Sequence, residues 1–224
     1  MNDKKVAVLT IDGPSGAGKG TIAQMLALDL KWNILDSGAL YRTLAYFMLE
    51  KDIDLSQFEE KKEYIKKNFM VKFDPGTVGE PVKVIFNNTD ITKEVRTEEI
   101  AKKTSDLAAD PIIREFIKPC QRDFMKKPGL IADGRDMGTV IFRDAKYKIF
   151  LTASLEERAK RRKVQLKRQG TEVNMRLLLQ ELEDRDKKDI ERKHSPLKPA
   201  SDSVIIDTSN LKPEGVVEEI KKNL

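Results

Sequence analysis

Residues 6–21, VAVLTIDGPSGAGKGT, constrain the fold more than any other stretch of this 224-residue sequence. An apolar, strand-like run ends abruptly in a loop that contains four glycines, a lysine and a threonine. After the loop, Ile22, Leu26 and Leu30 recur every four residues, as they do on one face of a helix. This segment is therefore predicted to fold as a strand, a loop and a helix.

The spacing within the loop predicts that it binds phosphate, with a plain flexible turn as the alternative. Four residues separate Gly13 from Gly18, and Lys19 follows at once. In such a loop the backbone N–H groups surround an anion, and the next helix adds the positive end of its dipole. The residues expected to contact a nucleoside triphosphate are Asp12, Gly13, Pro14, Ser15, Gly16, Ala17, Gly18, Lys19, Gly20 and Thr21.

The residue after Lys19 affects how a metal ion would be held. Gly20 occupies the position of the usual Ser or Thr, and the hydroxyl comes one residue later, at Thr21. We expect Thr21 to contact a phosphate and Mg²⁺ to be held through water and the phosphates. Asp133 in LIADGRDMG, at the carboxyl end of a predicted strand, is a candidate for the water-mediated shell. Asp12 is a second candidate, with a structural hydrogen bond to the glycine loop as the alternative.

Five short apolar segments predict an α/β fold. Helical patterns lie between them, and they have the composition of strands buried on both faces of a parallel sheet. The segments are residues 6–11, 33–35, 130–132, 148–151 and 204–206. Together with the glycine loop they predict a P-loop NTPase core, a five-stranded parallel sheet flanked by helices.

Two regions depart from this alternation. Within residues 53–104, the stretch VKFDPGTVGEPVKVIFNNTDI places two alternating runs around turn residues, which predicts an inserted small antiparallel sheet. Residues 156–193 are highly charged, helical in pattern and interrupted by Gly170. From residue 156 to 168, seven Lys or Arg stand against two Glu, a composition typical of a solvated helix face.

Composition excludes several functional classes. A net charge of +5 with only 6% aromatic residues argues against a nucleic-acid partner. The single cysteine, Cys120, excludes an intramolecular disulfide, and the single histidine, His194, leaves a zinc site or a Ser-His-Asp triad undersupplied. No apolar run approaches 18 residues and the first one is too short for a signal peptide. We expect a cytoplasmic monomer without a membrane partner.

Arginines beside polar partners predict a second site, for a phosphate-bearing acceptor. Phosphoryl transfer depends on positioning and cations, and a guanidinium binds phosphate through two hydrogen bonds. Candidates occur in DSGALYR, residues 36–42, and directly after Asp133. Arg185, Asp189 and Arg192 are spaced i, i+4, i+7, which predicts one helical face, with a ladder of ion pairs on a solvated helix as the alternative.

The motifs GPSGAGKGT, LDSGALYR, LIADGRDMGTVIF and RDxxDxxR, in this order around a 50-residue insertion, resemble those of bacterial cytidylate kinases over nearly the whole chain. The resemblance implies transfer of the γ-phosphate of ATP to CMP or dCMP, with Mg²⁺. It also implies a core of residues 1–41, 105–155 and 194–224, a nucleoside-monophosphate-binding insertion of residues 42–104, and a helical lid of residues 156–193.

The resemblance also assigns roles to individual residues. Cytosine would face Ser105, Arg114 and Asp136; ribose would contact Arg185 and Asp189; the CMP phosphate would be held by Arg42, Arg135 and Arg192; and Ser37 and Tyr41 would complete the pocket. The predicted catalytic residues are Lys19, Asp133, Arg135 and Arg192. Cytosine offers an amine donor where uracil has an acceptor, so an aspartate in the base pocket would favour cytosine.

A lid gives the basic stretch a second interpretation. It must close over ATP, because water would otherwise compete for the γ-phosphate. Arg158 and Arg162, at i and i+4, are the candidates to reach the phosphates on closure.

Alternatives within and outside this reaction class remain at this stage. A related kinase would take UMP, AMP or shikimate as acceptor. A nucleotide switch of the GTPase type would need an Asn-Lys-x-Asp segment, which the sequence lacks. An ATPase, or a nucleic-acid-binding protein with a phosphate loop, would lack the acceptor site.

Overall fold

A computed structural model describes residues 6–168, 170 and 172–224 of the chain. Its centre is a parallel sheet of five strands in the order β2-β6-β1-β7-β8. These strands are β1 (Ala7–Asp12), β2 (Asn33–Asp36), β6 (Gly129–Gly134), β7 (Tyr147–Thr152) and β8 (Val204–Asp207). The predicted α/β core is confirmed, and each predicted strand is present with its ends within two residues of the predicted ones.

Helices cover both faces of this sheet, and the described residues form eight: α1 (Lys19–Leu30), α2 (Ser37–Glu50), α3 (Phe58–Asn68), α4 (Glu98–Ala109), α5 (Pro111–Arg122), α6 (Leu155–Arg168), α7 (Met175–Glu191) and α8 (Pro213–Lys221). Of these, α1 and α8 pack on one face of the sheet and α2 and α5 on the other. The prediction that every strand is buried on both faces is wrong for β8, where Ile205 is 59% exposed. This strand lies at the edge of the sheet, and only Ile206 packs into the core beside α8.

The strand order determines where a ligand can bind. β1 lies between β6 and β7 and pairs with both in parallel, Ile11 opposite Asp133 on one side and Ile149 on the other. The chain leaves β1 toward one side of the sheet and later crosses to the other, so a crevice opens at the carboxyl ends of these central strands. The glycine loop, residues 13–18, lies at this crevice.

The predicted small antiparallel sheet is present and has three strands. β3 (Val71–Asp74) pairs with β4 (Lys83–Phe86), which pairs with the short β5 (Thr89–Asp90). Its apolar face does not form a separate core, because Phe86 packs edge-on against Phe47 of α2. The expected insertion boundaries at residues 41/42 and 104/105 fall inside α2 and α4.

The charged region folds as two helices, α6 and α7, which pack against each other, and Gly170, with a φ of 78°, lies between them in sequence. Their shared apolar cluster is small and centres on Ala159, Leu178 and Leu182. Within the residues that the structure describes, we find no helix with the length and apolar character needed to cross a bilayer.

Two glycines allow a matched test of packing. A Cβ on Gly129 in β6 would lie 2.3 Å from Cδ2 of the Trp32 ring, whereas one on Gly215 in α8 would meet no atom within 4 Å. We expect Gly129→Ala to lower the free energy of unfolding by about 1–3 kcal/mol through overpacking. Gly215→Ala should raise it by about 0.5–1 kcal/mol through helix propensity. Urea unfolding of both variants measures this, and equal shifts would contradict the packing described here.

Candidate active site

Two positions of the glycine loop require glycine, one because of close packing and one because of its backbone conformation. A Cβ on Gly13 would lie 2.0 Å from the carbonyl oxygen of Leu151 in β7. Gly18 caps the N-terminus of α1 with φ of 90°, in the left-handed region that glycine adopts without strain. Lys19 begins α1, and its Nζ donates to the carbonyl of Pro14 at 2.8 Å. The loop therefore curls around its own lysine at the positive end of the helix.

Asp133, at the end of β6, lies against this loop. A Cβ on Gly20 would lie 3.6 Å from Oδ2 of Asp133, so the missing Ser or Thr side chain leaves the carboxylate close to the start of α1. Burial raises the pKa of Asp133 to about 7, an effect that Lys19 opposes. Burial, and then Arg135, lowers the pKa of Lys19 to about 8. The two groups are buried, opposite charges beside the predicted phosphate position.

The carboxylate of Asp12 makes structural hydrogen bonds, and they go to the turn after Asp136 and not to the glycine loop. Its Oδ1 accepts from the backbone N–H of Met137 at 2.8 Å, and its Oδ2 accepts from that of Gly138 at 2.8 Å. Burial raises its pKa to about 6, and the two backbone hydrogen bonds act in the opposite direction. Both oxygens are used to hold the π-helical turn Met137–Ile141, which follows Asp136.

One open cavity of about 510 Å³ lies beside the loop and brings together residues from four separated parts of the chain. All ten residues predicted for a nucleoside monophosphate line it: Ser37, Tyr41, Arg42, Ser105, Arg114, Arg135, Asp136, Arg185, Asp189 and Arg192. Thr104, Asp106, Lys188 and Glu191 also line it, and sequence reasoning did not select them.

The inner wall of the cavity is an ion pair between Arg114 and Asp136. Their side chains are only 4% and 6% exposed, and Nη2 of Arg114 donates to Oδ2 of Asp136. Arg114 also donates from Nη1 to the carbonyl of Ala108 and lies 6.0 Å from the ring centroid of Tyr41. A buried pair of this kind is strongly destabilised when one partner is removed. Asp136 retains its second oxygen, Oδ1, for a ligand.

Asp189 joins two of the predicted phosphate-binding arginines. Its Oδ2 accepts from Nε of Arg135 at 2.8 Å, and its Oδ1 lies 3.6 Å from Nη2 of Arg192. That Nη2 is buried and has no hydrogen-bond partner in the described part of the chain. α7 ends at Glu191, and Arg192 is its C-cap residue, with a helical φ of −55° and a ψ of 129° that turns the chain away after it. Arg185, Asp189 and Arg192 all line the cavity.

A second group of arginines lines the outer part of this region. Burial lowers the pKa of Arg42, and the nearby Arg185 lowers it further. Burial and Arg185 also lower the pKa of Arg162. Three guanidinium groups from α2, α6 and α7 thus repel one another, which is the electrostatic environment of a site for a multiply charged anion.

The three arginines at the start of α6 have different surroundings. Arg158 is buried, donates from Nη1 to the carbonyl of Ser15 at 3.1 Å, and pairs with Asp186 of α7 at 2.6 Å. Arg162 hydrogen-bonds Gln165 of its own helix at 2.9 Å. Arg161, which sequence reasoning did not single out, donates to Oγ1 of Thr208 at 2.9 Å and lies beside Gly18 of the loop. The sequence shows three arginines of equal charge and does not reveal which of them contacts the glycine loop.

Comparison with known proteins adds an independent finding. A family model described as "Cytidylate kinase" matches residues 9–224. The chain is 46% identical to "Cytidylate kinase" of Stutzerimonas stutzeri (strain A1501), covering 97% of this chain and 94% of that protein. It is 47% identical to "Cytidylate kinase" of Shewanella sp. (strain W3-18-1), covering 99% and 96%.

A solved structure, an uncharacterized protein from Eubacterium ventriosum ATCC 27560, matches 97% of each chain with a TM-score of 0.50 at 17% identity. That likeness concerns the fold alone.

The buried pair of Asp133 and Lys19 predicts how stability depends on pH. The pKa of an aspartate is ordinarily 3.8, and the pKa of Asp133 in the folded protein is about 7. Between these two pH values the folded state binds more protons than the unfolded state, so the free energy of unfolding falls as pH rises. For Lys19 the unfolded state binds the extra proton between about 8 and 10.5, so the free energy of unfolding rises there. Together they give a minimum at about pH 7–8.

Urea unfolding of the protein and of Asp133→Asn at pH 5 and pH 7.5 measures this contribution. The free energy of unfolding should decrease less between pH 5 and pH 7.5 in Asp133→Asn than in the unmodified protein. Asp202→Asn, at an exposed carboxylate, is the control and should keep all of it. An identical pH dependence in the protein and in Asp133→Asn would show that Asp133 is not held in a protonation-sensitive environment.

Proposed function

The chain belongs to the cytidylate kinase family, and we propose that it transfers the γ-phosphoryl group of ATP to CMP and dCMP. The observation that carries this proposal is that one cavity beside the glycine loop is lined by all ten residues predicted for the acceptor. A phosphate loop and an acceptor pocket at the same sheet edge are what a direct transfer between two nucleotides requires.

On the donor side, the glycine loop would bind the triphosphate. Its backbone N–H groups and the N-terminus of α1 face the anion, and Lys19 would exchange the Pro14 carbonyl for a phosphate oxygen. Bound phosphates raise the pKa of Lys19 and keep it charged. Arg158 supports the loop through the Ser15 carbonyl, and Arg161 borders it at Gly18.

Mg²⁺ would accompany ATP and neutralise part of the charge on its phosphates. The residues fit such an ion: Asp133 supplies a hard oxygen ligand against the start of α1, where Gly20 leaves space for water. In the described residues no three His, Cys, Asp or Glu side chains form a cluster that would hold a metal alone. Asp133 would act through water, with the phosphates as the remaining ligands.

On the acceptor side, arginines would place the CMP phosphate in line with the γ-phosphorus. A CMP phosphate oxygen would then attack the γ-phosphorus of ATP, and the bond between the γ-phosphorus and the β,γ-bridging oxygen would break. The products are ADP and CDP. Charge spreads over the transferred oxygens in this step, so fixed cations provide most of the catalysis. Arg135 and Arg192, held by Asp189, together with Arg42 are placed to serve this role.

Base selection would rest on the wall of Arg114 and Asp136. The Oδ1 of Asp136 would accept from the cytosine amine, and Ser105 and Arg114 would donate to the ring acceptors. Arg185 and Asp189 would contact the ribose. The pairing of Asp136 with Arg114 fixes the carboxylate, so that uracil would meet it with repulsion instead of a hydrogen bond.

The hairpin of α6 and α7 would serve as the lid, residues 156–193, and residues 42–104 as the monophosphate-binding insertion. Arg162 would move its charge toward the transferred phosphate when the lid closes, since it already lies near Arg185 and Arg42. We also propose that the enzyme acts as a cytoplasmic monomer, because one chain contributes every residue assigned above.

The test is ADP release from ATP and Mg²⁺ with a panel of acceptors: CMP, dCMP, UMP, AMP, GMP, shikimate and none. We expect fast turnover with CMP and dCMP and slow turnover with the others. Equal turnover with UMP would remove the base assignment while retaining the kinase. ADP release that ignores every acceptor would mean that the glycine loop serves an ATPase or a switch.

Asp136 allows a sharper test of base selection. Asp136→Ala would leave Arg114 buried and unpaired and so would confuse loss of fold with loss of binding. Asp136→Asn keeps an acceptor for Arg114 and presents an amide donor to the base. We expect the ratio of kcat/KM for CMP over UMP to fall by about tenfold or more, with KM for ATP unchanged. Steady-state kinetics measures this, and an unaltered CMP/UMP ratio would contradict the assignment.

A further inference from the structure

Gln121 of α5 is a buried polar residue to which neither the sequence nor the proposed mechanism gives a role. Its side chain is 1% exposed, and its Nε2 donates to Oγ of Ser37 at 2.8 Å. Its Oε1 is buried and has no hydrogen-bond partner in the part of the chain that the structure describes. A half-satisfied buried amide destabilises a fold, so its presence calls for a reason other than stability.

Its partner Ser37 is the first residue of α2 and lines the acceptor cavity. A serine hydroxyl has one donor and two acceptor positions. Because its oxygen accepts from Gln121, the hydroxyl proton is free to point elsewhere, and the cavity is the polar space that Ser37 borders. The guanidinium of Arg42 lines the same cavity and adds positive charge that favours an anion there.

The opposite orientation of the amide would have the opposite effect. With Oε1 directed at Ser37, the hydroxyl would donate its proton to Gln121 and would present only lone pairs to the cavity. A phosphate oxygen would then be repelled instead of bound. The direction of one buried hydrogen bond therefore determines whether Ser37 donates to an anion.

We propose that Gln121 is a positioning residue that fixes the hydroxyl of Ser37 as a donor to the phosphate of CMP. This inference rests on the proposed function, because it requires the cavity to hold the monophosphate. The polar partner of Gln121 is 84 positions away in sequence, and Gln121 itself does not line the cavity. It acts on the substrate only through Ser37.

Gln121→Met is the variant that separates this role from a structural one. Methionine has a similar length and removes the unpaired Oε1, so we expect the variant to unfold at the same or a higher temperature than the protein. Its KM for CMP should nevertheless rise about fivefold, the effect of losing one oriented hydrogen bond, while KM for ATP stays unchanged. A glutamine with a purely structural role would show the reverse, lower stability and an unaffected KM.

Two further measurements complete the test. In a Ser37→Ala background, Gln121→Met should have no additional effect on KM for CMP, because the two residues act through one hydroxyl. Cytidine, which lacks the phosphate, should bind the protein and Gln121→Met equally when titrated calorimetrically. Gln121→Leu repeats the comparison should Met fail to fold.

The outcomes distinguish this inference from the proposed function. Absence of CMP-dependent ADP release in the unmodified protein would overturn the proposed function and this inference with it. Normal turnover combined with an unchanged KM for CMP in Gln121→Met, or with effects that add to those of Ser37→Ala, would overturn the role of Gln121 alone. Equal weakening of cytidine and CMP would also overturn it, since the contact would then not concern the phosphate.

Discussion

The carboxylate of Asp12 joins the two halves of the site. It stands at the end of β1, directly before the glycine loop, and accepts from the N–H groups of Met137 and Gly138, directly after Asp136. The glycine loop and the turn after Asp136 are therefore fixed to each other through two hydrogen bonds on one side chain. Burial raises the pKa of Asp12 to about 6, so the protein accepts an energetic cost to keep this carboxylate between the strands.

Around that anchor the protein collects more positive charge than its own carboxylates neutralise. Arg135 and Arg192 share Asp189, and one nitrogen of Arg192 is buried without a hydrogen bond in the described residues. Arg42 and Arg185 repel each other across the cavity. Clustered guanidinium groups repel one another in the free protein, and bound phosphate oxygens would remove that repulsion. The same charges would therefore attract the phosphate and already be in place to stabilise it. The free energy that the folded protein loses by holding these arginines together would be recovered when a phosphate binds between them.

Local signals predicted most of the fold. The glycine loop, the five strands and the helix after Lys19 follow from short-range periodicity and backbone geometry, and the structure contains all of them. The burial of β8 was mispredicted because composition cannot tell an edge strand from a central one. The seven-residue spacing grouped Arg192 with Arg185 and Asp189, which line one cavity, but it does not reveal that the helix ends one residue before Arg192.

Partner choice within the site lay beyond sequence reasoning. The ten cavity residues come from segments up to 155 positions apart, Ser37 and Arg192 being the extremes. Eight of them could be proposed from arginines beside polar partners, whereas Ser105 and Arg114 followed only from the resemblance. That Asp189 bonds Arg135, or that Arg161 rather than its neighbours borders Gly18, depends on how α6 and α7 pack. Gln121 carried no signal, because a glutamine in an amphipathic helix is ordinarily a surface residue.

The distribution of apolar contacts indicates which part of the molecule can move at least cost. The small antiparallel sheet shares its core with α2 through Phe86 against Phe47, and Phe69, which caps α3 just before β3, packs against Phe116 of α5. Displacing it as a body would expose those rings to water. The hairpin of α6 and α7 has its own small apolar cluster and is joined to the glycine loop by polar contacts, chiefly from Arg158. Polar contacts can be exchanged for water or phosphate at little net cost. Closure over a bound triphosphate should therefore occur at the hairpin, where an incoming phosphate can replace the contacts that movement breaks.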